Sequence, residues 1–239
     1  AVTYGTKKIK PVNKVIGPGN QFVSAAKKEV SGDIGIEAMT AGPSEVLIVA
    51  DKSSNPEWLA SDLLGQAEHD QLAQCILISK DKNILEKTKK EVFEQLKNLP
   101  RSSIAKKSLM MNGILIYANS DKKIIEITNK IGPEHLELNV KNYKSFVAKI
   151  KNAGSVCLGK YAVMAMTDYG APGSNHVLPT DSSSKYSSGL NVSEFMKKIS
   201  YITLSKKGID KLGPSVITLA NYEGLQGHAQ SIVKRIRRK

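Results

Sequence analysis

Val46-Leu-Ile-Val-Ala50, Asp51-Lys-Ser-Ser-Asn55, Pro56-Glu-Trp-Leu-Ala-Ser-Asp-Leu-Leu-Gly-Gln-Ala-Glu68 and Ala73-Gln-Cys-Ile-Leu-Ile-Ser79 follow one another along the chain, and their reading decides the fold. The first run is continuously apolar, as a strand covered on both faces must be. A polar turn follows, in which Asn55 is suited to cap a helix and Pro56 to occupy its first position. Leu59, Leu63 and Leu64 then recur at helical spacing, and residues 73–79 form a second apolar run. Strand, helix, strand is the unit of a parallel α/β layer structure. Downstream, residues 83–99 read as an amphipathic helix with Leu85, Val92, Leu96 and Leu99 on one face, ended by Pro100. Residues 113–118 give a third strand, 122–130 and 142–153 two more helices, and 155–158 a fourth strand. Upstream, residues 13–20 have the form of a strand running into a glycine turn, and 21–30 read as a helix. That is the later half of a unit whose earlier strands are missing, so the chain is expected to be a fragment of something longer. Residues 167–189 are rich in Gly, Pro, Ser and Asn, as befits a functional loop or a domain junction. A helical tract at 192–198 and a terminal helix over 222–237 complete the pattern.

The chain has 239 residues, 41% hydrophobic and 24% charged, which is enough to build a substantial core and unlike a disordered composition. It contains no apolar run long enough for a transmembrane helix. Ala1-Val-Thr-Tyr-Gly5 lacks the pattern of a signal peptide. Cys75 and Cys157 each sit in an apolar strand-like run, so both are expected as buried thiols, without a disulfide. Together these features point to a soluble, cytoplasmic chain with no membrane association. The net charge of +13 raises the alternative of a basic nucleic-acid-binding module. The excess is almost all lysine, with arginine only at 101, 235, 237 and 238, and only residues 234–239 form a cluster. Scattered lysines make a solvated surface better than a phosphate track, so no nucleic-acid partner is expected.

Four histidines are present, each beside other groups able to serve a site. Gln66 and His69 are three residues apart and share a helix face that Leu59 and Leu63 turn toward the protein interior. Spacing alone leaves two readings open: part of a metal site, or a histidine near the negative pole of a helix end. Glu134 and His135 follow a Gly-Pro break. In a loop the two can converge on a cleft and divide base work; equally, they can be a cap and a surface histidine. Asp168 and His176 bracket a glycine-rich loop, and Glu223 and His228 lie near the end on a helical segment. Gly17-Pro-Gly-Asn20 at a helix start can present N–H groups to a phosphate, although the third glycine of a dinucleotide fingerprint is absent. Ser44, in the turn Ala41-Gly-Pro-Ser-Glu45, has no nucleophile-elbow context.

In order along the chain stand Gly17-Pro-Gly-Asn20, Ala41-Gly-Pro-Ser-Glu-Val46, Leu64-Gly-Gln-Ala-Glu-His-Asp70 and Gly132-Pro-Glu-His-Leu-Glu137. Asp168-Tyr169, Asn175-His-Val-Leu-Pro-Thr180, Ser188-Gly-Leu190 and Glu223-Gly-Leu225 with His228 follow. This series closely resembles the histidinol dehydrogenase family, from Tyr4 to the C-terminus, with the family's first half missing. The resemblance implies NAD-dependent oxidation of L-histidinol to L-histidine through the aldehyde, in two hydride transfers. It implies zinc, one ion per subunit, held by Gln66, His69, Asp168 and His228 and completed by substrate nitrogens. It also implies His135 as the base for the alcohol proton and Glu134 as the group that activates water. Ser44, His135, Glu223 and the zinc ligands would contact substrate, with His176 in support, and Asn20 would contact the cofactor.

By the same resemblance the fold is a pair of incomplete Rossmann-like domains with a helical C-terminal arm. Residues 1–45 would end the cofactor-side domain, 46–190 would carry the zinc and catalytic residues, and 191–239 would be the arm. Family members are homodimers in which this arm reaches the other subunit, so Glu223 and His228 would complete the partner's site. The chain alone is expected to be inactive. Two rivals to this reading are an inactive truncated remnant and a basic module on the same fold.

Overall fold

A computed structural model describes residues 1–17, 19, 21–37, 42–170 and 175–236. The cofactor contact expected at Asn20, residues 171–174 of the loop after Asp168, and the basic tail at 237–239 lie outside the described residues. The chain divides into two compact units, Ala1–Glu194 and Phe195–Lys239.

The first unit opens with β1 (Lys14–Val15), α1 (Gln21–Glu29) and β2 (Gly35–Ile36), the two short strands pairing in parallel. Then come β3 (Glu45–Ala50), α2 (Pro56–Ala67), β4 (Gln74–Ser79), α3 (Lys82–Leu96), α4 (Ser102–Asn112) and β5 (Gly113–Tyr117). They are followed by α5 (Asp121–Ile131), β6 (His135–Asn139), α6 (Lys144–Val147), β7 (Ser155–Leu158) and α7 (Met164–Tyr169). The last five strands form one parallel sheet in the order β5-β4-β3-β6-β7. The order reverses between β3 and β6, the signature of a doubly wound layer structure. Local chemistry sets the boundaries. The Asn55 side chain accepts the Glu57 N–H, Asp81 accepts that of Asn83 and Ser120 that of Lys123. Helix α5 stops at Gly132, whose φ of 62° favours a residue without a Cβ.

Each face of the sheet has its own core. On one, Val46, Ile48, Cys75 and Leu77 pack with Leu59, Leu63 and Leu64 of α2 and with Met164. On the other, Leu47, Val49, Ile76, Leu136 and Leu138 pack with Ile124 of α5 and Phe146. Burying each such side chain contributes about 1.5–3 kcal/mol. Leu136 and Leu138 occupy the α5 side, so the alternation of a strand assigns His135, Glu137 and Asn139 to the α2 side. Both cysteines are buried and free, and burial pushes both thiols up to about 12. Among the described residues no helix is long and apolar enough to cross a membrane.

Several expectations need correction. The helix expected over 83–99 ends at Leu96, and Pro100 is followed by a further helix, α4. That helix buries only Ala105 and Ser108 and exposes Met110 and Met111, so its periodicity is weak. The helix expected over 142–153 is the single turn α6. The Asn129 side chain explains this: its Oδ1 accepts the N–H groups of Lys151 and Asn152, drawing the chain away toward β7. The loop expected at His135 is strand β6. The tract at 192–198 is a 3₁₀ turn, Val192–Phe195.

In the second unit the helix expected over 222–237 is the shorter α9 (Gln226–Ile236), and it is preceded by a helix that was not expected, α8 (Lys206–Tyr222). The chain turns between them at Gly224, with φ 74°. Gly213 brings the pair close: a Cβ there would lie 2.9 Å from Ile232 Cγ2. Leu212, Val216, Leu219 and Tyr222 are exposed along α8.

Candidate active site

The register of β3 against β6 pairs Val46 with His135 and so brings Glu45 and Glu134 together at the amino ends of neighbouring strands. The two acids grip each other's backbone. The Glu45 N–H donates to Glu134 Oε2 at 2.9 Å, and the Glu134 N–H donates to Glu45 Oε2 at 3.3 Å. Glu45 Oε1 also accepts the Asp181 N–H at 3.0 Å, tying the 175–190 segment to the same point. Glu134 stands just outside the pleat and His135 is the first residue of the strand. His135 Nε2 therefore lies 3.9 Å from Glu134 Oε1 and 4.0 Å from Asp168 Oδ1, the latter carried in by α7.

Burial dominates the electrostatics. It pushes the His135 imidazole down to about 4, against the pull of the Asp168 carboxylate and with help from His69 and His176. The ring is thus kept neutral, the form that accepts a proton. Its Nδ1 is buried without a hydrogen-bond partner. Burial also pushes Glu134 up to about 8, with the charges of Glu45 and Asp168 adding to the effect and the Glu45 N–H opposing it.

Gln66, on the buried face of α2, is 0% exposed, and neither amide atom has a hydrogen-bond partner. His69 departs from the expected inward face. It lies past the helix end in an exposed turn, with its N–H donating to the Gln66 carbonyl at 3.2 Å. Its charge still reaches His135. Ser44 is half-buried at the mouth of β3, and its carbonyl accepts the Gln74 N–H. His176 is exposed and meets Tyr169 edge-on, ring centroids 6.0 Å apart. Glu223, at the C-cap of α8, and His228, in the first turn of α9, are both exposed in the second unit. The structure therefore gathers Glu134, His135 and Asp168 tightly, with His69 and His176 within electrostatic reach. Sequence reading overlooked Glu45, Asp62 and Glu137. For Glu137 the signal was the alternation of His135, Leu136, Glu137 and Leu138; for the other two only tertiary pairing reveals a role.

Among the described residues no three His, Cys, Asp or Glu side chains are arranged to hold a metal ion. The implied zinc set draws only one imidazole and one carboxylate from the first unit, His69 and Asp168, together with the Gln66 amide. That amide supplies the physical test. A fully buried amide with both polar atoms unpaired is costly unless something completes it, and an amide oxygen joined to imidazole and carboxylate suits a divalent cation. The residues present fit such an ion.

The doubly wound parallel sheet thus carries a buried carboxyl–imidazole–carboxyl cluster at the amino ends of β3 and β6. The chain belongs to the histidinol dehydrogenase family: that family's model matches residues 1–236. This is a family of oxidoreductases that catalyse the last step of histidine biosynthesis. The histidinol dehydrogenase of Pelagibacter ubique is 74% identical over 239 residues, covering 100% of this chain and 56% of its own length. That of Zymomonas mobilis is 44% identical over 99% of this chain and 54% of its own length. The crystal structure of histidinol dehydrogenase from Elizabethkingia anophelis superposes with a TM-score of 0.92 at 42% identity, over 98% of this chain and 54% of that one. The chain spans about half the length of the curated relatives it matches.

Proposed function

We propose that this chain supplies the acid–base half of an enzyme that oxidises L-histidinol to L-histidine through the aldehyde, in two hydride transfers to NAD. The observation that carries the reading is the placement of His135 Nε2 within 4.0 Å of carboxyl oxygens from both Glu134 and Asp168. A bound divalent metal, zinc by family resemblance, would orient and polarise the substrate, and the nicotinamide would accept hydride. Gln66, His69, Asp168 and His228 would hold that metal. His135 takes the alcohol proton while hydride leaves the carbinol carbon. Glu134, once it has given up its own proton, takes one from the water that adds to the aldehyde carbon, and the resulting hydrate loses the second hydride as a hydroxyl proton leaves, giving the carboxylic acid. Ser44, Glu223 and His176 contact or support the substrate, and Asn20 contacts the cofactor. The exposed apolar residues along α8 support the further reading that residues 191–239 are an arm that docks on a second copy in a homodimer.

The test uses the chain assembled with the segment that its relatives carry ahead of it. His135→Ala should lower NADH formation from histidinol by roughly 10²–10⁴. Glu134→Gln should impair oxidation of supplied histidinal more than oxidation of histidinol, because water is activated only in the second half. Equal losses in the two half-reactions would defeat that division of roles.

A further inference from the structure

Beneath the site two acids that the proposed chemistry leaves unused face each other. Glu137 lies two residues after His135 on β6 and is 1% exposed; Asp62 lies one turn before Gln66 on α2. Their carboxyl groups face each other within reach of a bond that one shared proton would complete, and no other N–H or O–H reaches Asp62 Oδ2 or Glu137 Oε2. None of the ion pairs among the described residues involves either acid. Two carboxyl groups placed face to face, one fully buried and one half-buried, disfavour each other's ionisation, so the pair holds a proton. The remaining oxygen, Glu137 Oε1, accepts the N–H of Met164 at 2.7 Å. Met164 is the first residue of α7, and Asp168 stands four residues further on.

We propose that the Asp62–Glu137 pair, with the Met164 N–H, is a brace that positions Gln66, His135 and Asp168 relative to one another. The pair joins three elements, and on each the site residue is one structural repeat from the joint: i+4 on α2, i−2 on β6 and i+4 on α7. Helix α7 has only six residues, too few to hold itself in place, so its position depends on what grips its first turn. An apolar pair of similar volume would fill the same space but could not fix three backbones in register. In this arrangement Asp62 and Glu137 act through the groups they hold. The proposal rests on the acid–base reading of the site given above.

The experiment compares Glu137→Leu and Glu137→Gln in the assembled, full-length enzyme, by crystal structure and by turnover of histidinol. Leucine keeps the volume but can neither accept the Met164 N–H nor bond to Asp62. Glutamine can do both. In the leucine variant the separation of His135 Nε2 from Asp168 Oδ1 should widen by about 1 Å and kcat should fall on the order of tenfold to a hundredfold. The glutamine variant should keep the wild-type separation and a kcat within about threefold of wild type. An unchanged separation and turnover in Glu137→Leu, or a glutamine variant as impaired as leucine, would overturn the brace. Should the leucine protein fail to fold, Asp62→Ala, at a half-buried helix position, makes the same comparison from the other side of the pair. If wild-type enzyme does not oxidise histidinol, the functional reading fails while the crystallographic comparison still decides the brace.

Discussion

Glu137 and Glu134 are both acids driven into low dielectric, yet the surroundings treat them differently. Glu134 accepts one backbone N–H, that of Glu45, and faces the imidazole, so its proton can be exchanged during a reaction. Glu137 is enclosed by Asp62 on α2, the Met164 N–H on α7 and Cys157 on the adjoining strand, and it keeps its proton. Burial, then the Asp62 charge, pushes Glu137 up to about 8 from an ordinary 4.5. The sign of the consequence follows from linkage. Between those values the folded protein binds a proton that the unfolded chain has released, so this group's contribution to stability is full below about pH 4.5 and is lost as pH rises toward 8. Glu137→Gln removes the titration but keeps the geometry. Urea midpoints measured across that window should therefore fall with pH more steeply for wild type than for the variant. Parallel curves would mean that the pair is already ionised in the folded state.

At the scale of elements, helix α2 shows how much of the site the sequence displays. Its start was legible to the residue, because Asn55 and Pro56 are chemically specific signals, and its face was legible because leucines recur at fixed spacing. Replacing Asn55 with Ala removes the acceptor for the Glu57 N–H and should cost about 0.5–2 kcal/mol, read as a lowered thermal midpoint. No loss would mean that solvent satisfies that N–H equally well. Beyond its last turn the same helix misleads: the spacing that buries Gln66 continues formally to His69, but the helix ends at Ala67 and His69 faces solvent. Strand β6 was hidden for a different reason. It carries His135, Glu137 and Asn139 on a face that periodicity expects to be apolar, since a site stands where a core would otherwise be. Helix α4 was hidden because almost nothing on it is buried. The ordered short motifs, by contrast, proposed Glu134, His135 and Asp168, which the fold brings together, without any need of that fold. What they could not show is that the site opens at the amino ends of β3 and β6. Ligands of doubly wound sheets commonly take the carboxyl ends instead. There, the turn after β3 has no glycine to admit a pyrophosphate, and Asp51 is engaged by Ser53 and the Lys141 N–H.

For the molecule as a whole, the question is what these 239 residues do without the remainder of their relatives' length. Of the cofactor contacts implied by resemblance, the chain holds only the turn around Gly17 and Asn20. Hydride transfer needs the reacting carbons held about 3–3.5 Å apart, which one helix start cannot enforce on a nicotinamide. Apolar residues also stand exposed: Ile114 and Leu115 along β5 at the sheet edge, and the α8 face of the second unit. Such surfaces invite either specific docking or aggregation. The 239-residue chain supplied with zinc, NAD and histidinol should therefore form no NADH. Mixed with a separately expressed first half taken from the Pelagibacter ubique relative, it should gain activity along with a rise in sedimentation coefficient. Both signals should saturate at one first half per chain, as expected if binding completes the cofactor site. Steady turnover by the chain alone would show that its own residues suffice to place the nicotinamide. Tight assembly without activity would instead show that the covalent join between the halves, and not their contact alone, sets the geometry for transfer.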